Sequence, residues 1–241
     1  MSSPSLSVGS VELEHGPRVW LVALDRMPVS TALLDAPERA WLARLRSPQL
    51  ARRYAARRSA LRLVLGAALG LRPEAVPLEL GAHGKPRLTA ATELSFNVSH
   101  RGATAVIALA RARTVGVDVE SARTRTSPLR LAARHFHPDE AAAIAALPAE
   151  LATDAFLRCW TAKEAVLKAL GSGLSEPMHG VVVDPDPSGP LRLREMPGAQ
   201  EPTDWTLHAL CLPRGQLTVA LALPVPEACI AGVHGLPVEE R

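Results

Sequence analysis

The chain has 241 residues, 47% of them hydrophobic and 21% charged, with a formal charge of +3. That length buries a core in one large domain or two modest ones, and the balance of apolar and charged residues excludes a disordered or fibrous chain. A charge this mild excludes an overall polycation; only the Arg-dense stretch from Arg39 to Arg62 predicts a local positive surface for phosphate, nucleic acid or an acidic partner.

The opening segment, MSSPSLSVGSVELEHG, has neither the basic start nor the apolar stretch of a signal peptide. RVWLVALD (Arg18 to Asp25) then predicts a first strand. Helical text follows from Pro37. A cleaner helix opens at Ser47-Pro48, a capping residue followed by proline at the first helical position, and is predicted to run to Leu69 and stop at Gly70. Gly81 to Pro86, GAHGKP, reads as a loop. LSFNVSH (Leu94 to His100) alternates apolar and polar residues, which marks a half-buried strand, and ATAVIALA from Ala103 is its hairpin partner across Arg101-Gly102.

TVGVDVE (Thr114 to Glu120) is the next strand, with the same alternation. A helix is expected near Asp139 to Leu147 and another from about Asp154 to Gly171. The tail holds strand-like GVVVD (Gly180 to Asp184), WTLHAL (Trp205 to Leu210) and LTVALAL (Leu217 to Leu223). Strands and helices alternate in each half, so the class is mixed α and β. Cys159, Cys211 and Cys229 are odd in number and widely spaced, a pattern of neither disulfides nor zinc that suits a reducing compartment. Charges or prolines interrupt every apolar run before it spans a bilayer, so the expected location is cytoplasmic.

The chemistry concentrates at three places. In VGVDVE, period two puts Gly116, Asp118 and Glu120 on one face, two neighbouring carboxylates beside a glycine that leaves room for a ligand. Such carboxylates raise each other's pKa unless a cation lies between them, and all-oxygen donors suit Mg²⁺. Otherwise they are a solvated sheet edge. In FLRCWTAKEAVLKALGSGL the apolar stripe of Phe156, Trp160, Leu167 and Leu170 is interrupted by Lys163, with Glu164 beside it and Lys168 one turn on. Glu164 and Lys168 make an ordinary i, i+4 pair, whereas Lys163 must either snorkel out or meet an anion. Ser99-His100 at a strand end, Lys85 between Gly84 and Pro86, and Arg57 and Arg58 in the stripe of their helix add hydroxyl, imidazole and cations. Three carboxylates for a metal and several cations, without an obvious Ser or Cys nucleophile, point to magnesium-assisted chemistry at a phosphate.

GKP, FNVSH, VGVDVE and WTAKEAVLKALGSGL, in that order, resemble the 4'-phosphopantetheinyl transferases of the longer, surfactin-synthetase-activating type, from about the Ser47 helix to Leu174. The resemblance implies transfer of the phosphopantetheine arm of coenzyme A to a serine of an apo acyl, peptidyl or aryl carrier protein, with 3',5'-adenosine bisphosphate leaving. It implies a monomer of two similar α/β halves about a pseudo-twofold axis, with the active site in the cleft between them. The expected halves are 1–114, for the adenosine end of coenzyme A, and 115–241, for the magnesium site and the catalytic helix. Asp118, Glu120 and Glu164 match the family's magnesium ligands. Ser99, His100, Lys85 and Lys168 match contacts to coenzyme A, Arg58 matches an arginine on the 3'-phosphate, and Lys163 matches the other lysine of the W-x-x-K-E element, expected to line the phosphate-filled cleft. The family also places basic residues just before the Ser47 helix, where this chain has Ser47 and Leu50, so Arg44, Arg46, Arg52 and Arg53 are candidate substitutes. Glu164 or a metal-bound water is the expected proton acceptor, ahead of Lys163, since an unshifted lysine stays protonated at neutral pH. The competing readings are a magnesium-dependent phosphodiesterase or nuclease using the same carboxylates, and a non-catalytic nucleic-acid-binding protein using the Arg39 to Arg62 stretch.

Overall fold

In the computed structural model, which describes residues 16–81, 85–89, 92–121, 127–171, 176–198, 201–211, 217–224 and 232–235, a single pattern of elements occurs twice. The first pass runs β1 (Arg18–Ala23), α1 (Ala36–Leu42), α2 (Pro48–Leu69), the short hairpin of β2 (Leu78–Leu80) and β3 (Pro86–Leu88), then the hairpin of β4 (Leu94–Arg101) and β5 (Thr104–Arg111). The second runs β6 (Gly116–Ser121), α3 (Pro128–His135), α4 (Pro138–Ala145), α5 (Ala149–Leu170), the short hairpin of β7 (Val182–Val183) and β8 (Leu193–Glu195), then β9 (Thr206–Cys211) and β10 (Leu217–Leu223). Each pass closes an antiparallel sheet in the same order, β1-β5-β4 and β6-β10-β9. The last strand, β11 (Gly232–Gly235), crosses back to lie parallel to β1, so the segment 115–241 lends one strand to the first sheet.

The two long helices show why the halves look alike. Each has 22 residues. Each stops at a glycine in the left-handed region, Gly70 at φ 67° and Gly171 at φ 77°, where a Cβ would be strained. Ser47 caps α2 by accepting from the Leu50 N–H at 3.4 Å.

Side-chain alternation divides the core into three layers. Trp20, Val22, Ile107 and Leu109 point to α2, against Ala56, Ala60 and Val64. Val19, Val106 and Ala108 point the other way and meet Val117, Val119, Val219 and Leu221 of the second sheet. Ala220 and Ala222 face α5, with Phe156, Ala165 and Val166. The result is a helix–sheet–sheet–helix stack in which edge strand β4 of one sheet lies against edge strand β6 of the other. Among the described residues no helix is long and apolar enough to cross a membrane.

Candidate active site

The seam between β4 and β6 is stitched by polar side chains. Asn97 on β4 accepts the backbone N–H of Val117 at 3.1 Å, which satisfies a donor on the open edge of β6. One pleat further, the Ser99 hydroxyl donates to Asp118 Oδ1 at 2.7 Å, and both residues are buried. Lys168 reaches down from α5, its Nζ donating to the same Asp118 oxygen and, at 3.1 Å, to Ser99 Oγ. The sequence-predicted Ser99, Asp118 and Lys168 thus form one hydrogen-bonded triplet drawn from three elements.

Gly116 sets the depth of this seam. A Cβ there would stand 1.9 Å from the carbonyl oxygen of Ala165 and 2.7 Å from the Ala169 nitrogen. The space expected for a ligand is therefore filled by the backbone of α5. The absent side chain lets the helix settle onto β6, which brings Glu164 and Lys168 over Asp118 and Glu120.

The carboxylates behave as a group short of positive charge. Burial raises the pKa of Glu164, and Asp118 and Glu120 raise it further against the pull of Lys168. Burial also raises Glu120, opposed by Arg101, which sits 3.2 Å away, and reinforced by Asp118. Asp118 Oδ2 is buried without a hydrogen-bond partner. An orphaned carboxylate oxygen beside two reluctant carboxylates fits a hard cation. Among the described residues no three acidic, histidine or cysteine side chains already converge as a closed metal cage requires. Such an open donor set fits Mg²⁺ better than a closed cage, since Mg²⁺ typically takes one or two carboxylates and completes its shell with water and phosphate.

Beside the triplet opens a cavity of about 860 Å³, walled by α1 and α2, the β2–β3 hairpin and the end of β4. Trp41, Tyr54, Leu78, Leu80 and Phe96 give it apolar walls, Arg57, Arg58, Lys85 and Lys168 bring cations, Asp35, Glu38 and Glu79 bring carboxylates, and the His100 imidazole stands beside them. Burial, and then one another's charge, disfavours the protonated form of these basic groups. Lys85 is lowered by burial and by Lys168, His100 by burial and then Arg57, and Arg57 by burial and then Arg58. Lys85 donates to the Lys168 carbonyl, tying the first half to the C-terminal turn of α5. The flanking glycine, Gly84, lies outside the described residues. A cationic cavity with apolar walls, opening onto a carboxylate group, suits an elongated ligand carrying several phosphates and a flat or apolar end.

The comparisons with known proteins agree with this chemistry. The family model described as "4'-phosphopantetheinyl transferase superfamily" matches residues 114–222. The 4'-phosphopantetheinyl transferase HetI of Nostoc sp. is 33% identical over 228 residues, covering 91% of this chain and 91% of HetI. The chain belongs to the 4'-phosphopantetheinyl transferase superfamily. The 4'-phosphopantetheinyl transferase Sfp of Bacillus subtilis is 30% identical over 120 residues, half of this chain and 52% of Sfp. The crystal structure of Thermotoga maritima holo-[acyl-carrier-protein] synthase aligns with a TM-score of 0.35 at 22% identity, over 47% of this chain and 64% of that one, a likeness too slight to bear on the fold.

Two residues assigned by resemblance to this superfamily stand differently in the structure. Lys163 does not line the cleft. Its side chain is fully buried on the core side of α5, with Nζ 2.6 Å from Glu140 Oε2 of α4, donating also to the Val181 carbonyl and lying 4.8 Å from the Phe136 ring centre. Adjacent residues on a helix point about 100° apart, so Glu164 can face the seam only if Lys163 turns inward, where Glu140 satisfies it. Arg58 does line the cavity, but its guanidinium is held by Glu38, Nε to Oε1 at 2.5 Å. Glu38 and Asp35 also engage the fully buried Arg62, and together these four charges dock α1 onto α2. Two of the four candidate substitutes are engaged: Arg52 donates to the carbonyls of Leu24 and Met27, and Arg53 pairs with Asp25. Within the expected positive surface from Arg39 to Arg62, Arg53, Arg58 and Arg62 are paired with carboxylates, whereas Arg39, Arg44, Arg46 and Arg52 stay exposed. Asn97 and Arg101 are the site residues that sequence reasoning missed. Asn97 stood on the polar face of a predicted strand and Arg101 in a predicted turn, and only the partner strand β6 gives either of them a role.

Proposed function

We propose that the protein transfers the 4'-phosphopantetheine arm of coenzyme A to a serine of an apo acyl or peptidyl carrier protein, with magnesium held by Asp118, Glu120 and Glu164. The observation that carries this reading is the division of charge along the seam: three carboxylates with an orphaned oxygen on one side, and a cation-lined cavity with apolar walls on the other. Coenzyme A has the complementary shape, an adenosine end with a 3'-phosphate joined through a pyrophosphate to a flexible arm. In this assignment the segment 1–114 receives the adenosine end, through Lys85, Ser99 and His100, and 115–241 supplies the carboxylates and Lys168.

Bound magnesium supplies neutralisation of the pyrophosphate charge. Lys168, at the junction of cavity and carboxylates, is placed to neutralise the phosphate oxygens that become more negative as the leaving group departs. The carrier serine's oxygen forms a bond to the phosphorus that bears the pantetheine arm, the bond from that phosphorus to the adenosine bisphosphate breaks, and the serine proton goes to a base. Glu164 suits that role by position, on the helix edge close to Asp118, Glu120 and Lys168. The serine of the carrier, rather than water, is the acceptor in this reading. Chromatography of 3',5'-adenosine bisphosphate tests it: release from coenzyme A and Mg²⁺ is expected only when an apo carrier is present. Release at an equal rate without a carrier would make the protein a phosphodiesterase.

A further inference from the structure

The seam is built in rungs. Asn97, Ser99 and Arg101 follow one another along β4 at the spacing of one face of a strand, and each meets β6 one step further on. Asn97 accepts the Val117 N–H, Ser99 donates to Asp118, and Arg101 pairs with Glu120. His100, between the last two, turns to the cavity instead. Arg101 is the last residue of β4 and stands opposite Thr104 across the turn at Gly102, whose φ of 58° closes the hairpin. Its Nε lies 3.2 Å from Glu120 Oε2, with the two side chains exposed by 44% and 22%. The chain's own cations thus answer two of the three carboxylates. Lys168 is paired with Asp118 and Arg101 with Glu120, whereas Glu164 has no ion pair among the described residues.

We propose that Arg101 is a positioning residue that acts through Glu120: it neutralises that carboxylate in the metal-free protein and weakens the three carboxylates as a site for a bare divalent cation. This rests on Asp118, Glu120 and Glu164 being the magnesium ligands. The buried Asp118 Oδ2 has no hydrogen-bond partner, so a cation gains most there. An ion held by that oxygen and by Glu120 meets a guanidinium already on Glu120, and the two like charges oppose each other. Arg101 is exposed enough for water to take up its charge when it lets go. The pair therefore raises the cation concentration needed without closing the site.

Thermal unfolding of the full chain across a series of MgCl₂ concentrations, with ionic strength held constant by KCl, tests the assignment, because an ion that binds the folded state raises the melting temperature by mass action. Mg²⁺ is expected to stabilise Arg101→Gln at a concentration roughly twofold to fivefold lower than it needs for the wild type, the worth of a partly exposed ion pair. Arg101→Lys keeps the charge and is expected to follow the wild type. An arginine with a merely structural role would shift the melting temperature without Mg²⁺ and leave the concentration dependence where it was. Wild type and Arg101→Gln that respond at the same Mg²⁺ concentration, in Mg²⁺ alone or only once coenzyme A is added, overturn the proposal and leave the metal site standing. An Arg101→Lys protein that follows Arg101→Gln also overturns it, since the effect would then not be one of charge. Two proteins that ignore Mg²⁺ both with and without coenzyme A remove the metal site itself.

Discussion

Replacing Lys163 by Met separates a structural lysine from a catalytic one. The lysine and its partner Glu140 have side chains exposed by 0% and 2%, with Nζ 2.6 Å from Oε2. Burial holds the lysine below its ordinary pKa although Glu140 pulls it upward. Glu140 is itself a hub, since Oε1 accepts the Val183 N–H at 2.7 Å and Oε2 accepts the His137 N–H at 3.0 Å, joining α4 to the strand after α5. Removing the cation strands a buried carboxylate, a defect that costs about 3–5 kcal/mol. For a chain of this size that is a fall of roughly 10 °C in melting temperature. Lys163→Met paired with Glu140→Gln is expected to recover much of the loss, because the neutral amide no longer needs the lysine and its oxygen still accepts a backbone N–H. Thermal unfolding by circular dichroism reads both variants. Below its melting temperature the single variant is expected to keep kcat/KM within about tenfold of wild type, since Lys163 does not face the seam. A Lys163→Met protein that melts like wild type and has lost transfer would refute this reasoning and return the lysine to the chemistry.

Further outcomes follow from the same geometry. Gly116→Ala must push α5 off β6, at a cost of about 3 kcal/mol or more, and transfer should fall even in the folded fraction; wild-type melting and activity would show that the close approach does not matter. Asp118→Ala is expected to fold and to lose transfer by about 10³-fold, the scale of a lost electrostatic contact at the transition state; full activity with Mg²⁺ present would remove Asp118 from the metal site. Glu120 and Glu164 both have raised pKa values in the metal-free chain, so Mg²⁺ affinity, read by calorimetric titration, should begin to fall at a pH above the ordinary carboxylate range; a fall that starts only within that range would contradict the shift. The same shifts make a stability prediction in metal-free buffer. A carboxylate whose folded-state pKa is raised favours folding while protonated; that contribution is full below the unfolded-state pKa and lost as pH rises through the folded-state value. Glu164→Gln should therefore melt higher than wild type at pH 7 while losing transfer, and a lower melting temperature would contradict the shift.

Local signals in the sequence placed most of the scaffold. The limits of α2 were readable to the residue, because Ser47-Pro48 and Gly70 carry both of its caps. Strand β4 was readable from its alternation, and β10 from its apolar run. The start of α5 fell five residues earlier than expected, at Ala149, because Pro148 opens the helix without a side-chain cap. Of the β2–β3 hairpin only the connection, Gly81 to Pro86, was read, as a loop, since strands of three residues are too short to show a period. Helix α3 was missed for a related reason: it has eight residues and follows a segment rich in Arg, Ser and Thr.

Within the site, Ser99, Asp118 and Lys168 were legible by motif, and their meeting at one oxygen was not, because that depends on how two sheet edges abut. Lys163 was misread for a physical reason. Its neutraliser, Glu140, is 23 residues away on another helix, and a stripe analysis sees only one helix at a time. Arg58 lines the cavity, and its pairing with Glu38 was hidden in the same way, since Glu38 lies 20 residues upstream on α1. The repeated order of strands explains why there is one such seam. On the helix-facing side of β1 stand Trp20 and Val22, where β6 offers Asp118, so the duplicated frame carries carboxylates in one copy and core in the other.

The intact mass of an apo carrier protein, taken after incubation with this protein, coenzyme A and Mg²⁺, tests the central claim most directly. The account predicts a gain of one phosphopantetheine, located on a serine of the carrier and lost when a chelator is added. An unchanged mass across acyl and peptidyl carriers, with coenzyme A consumed or untouched, would contradict it.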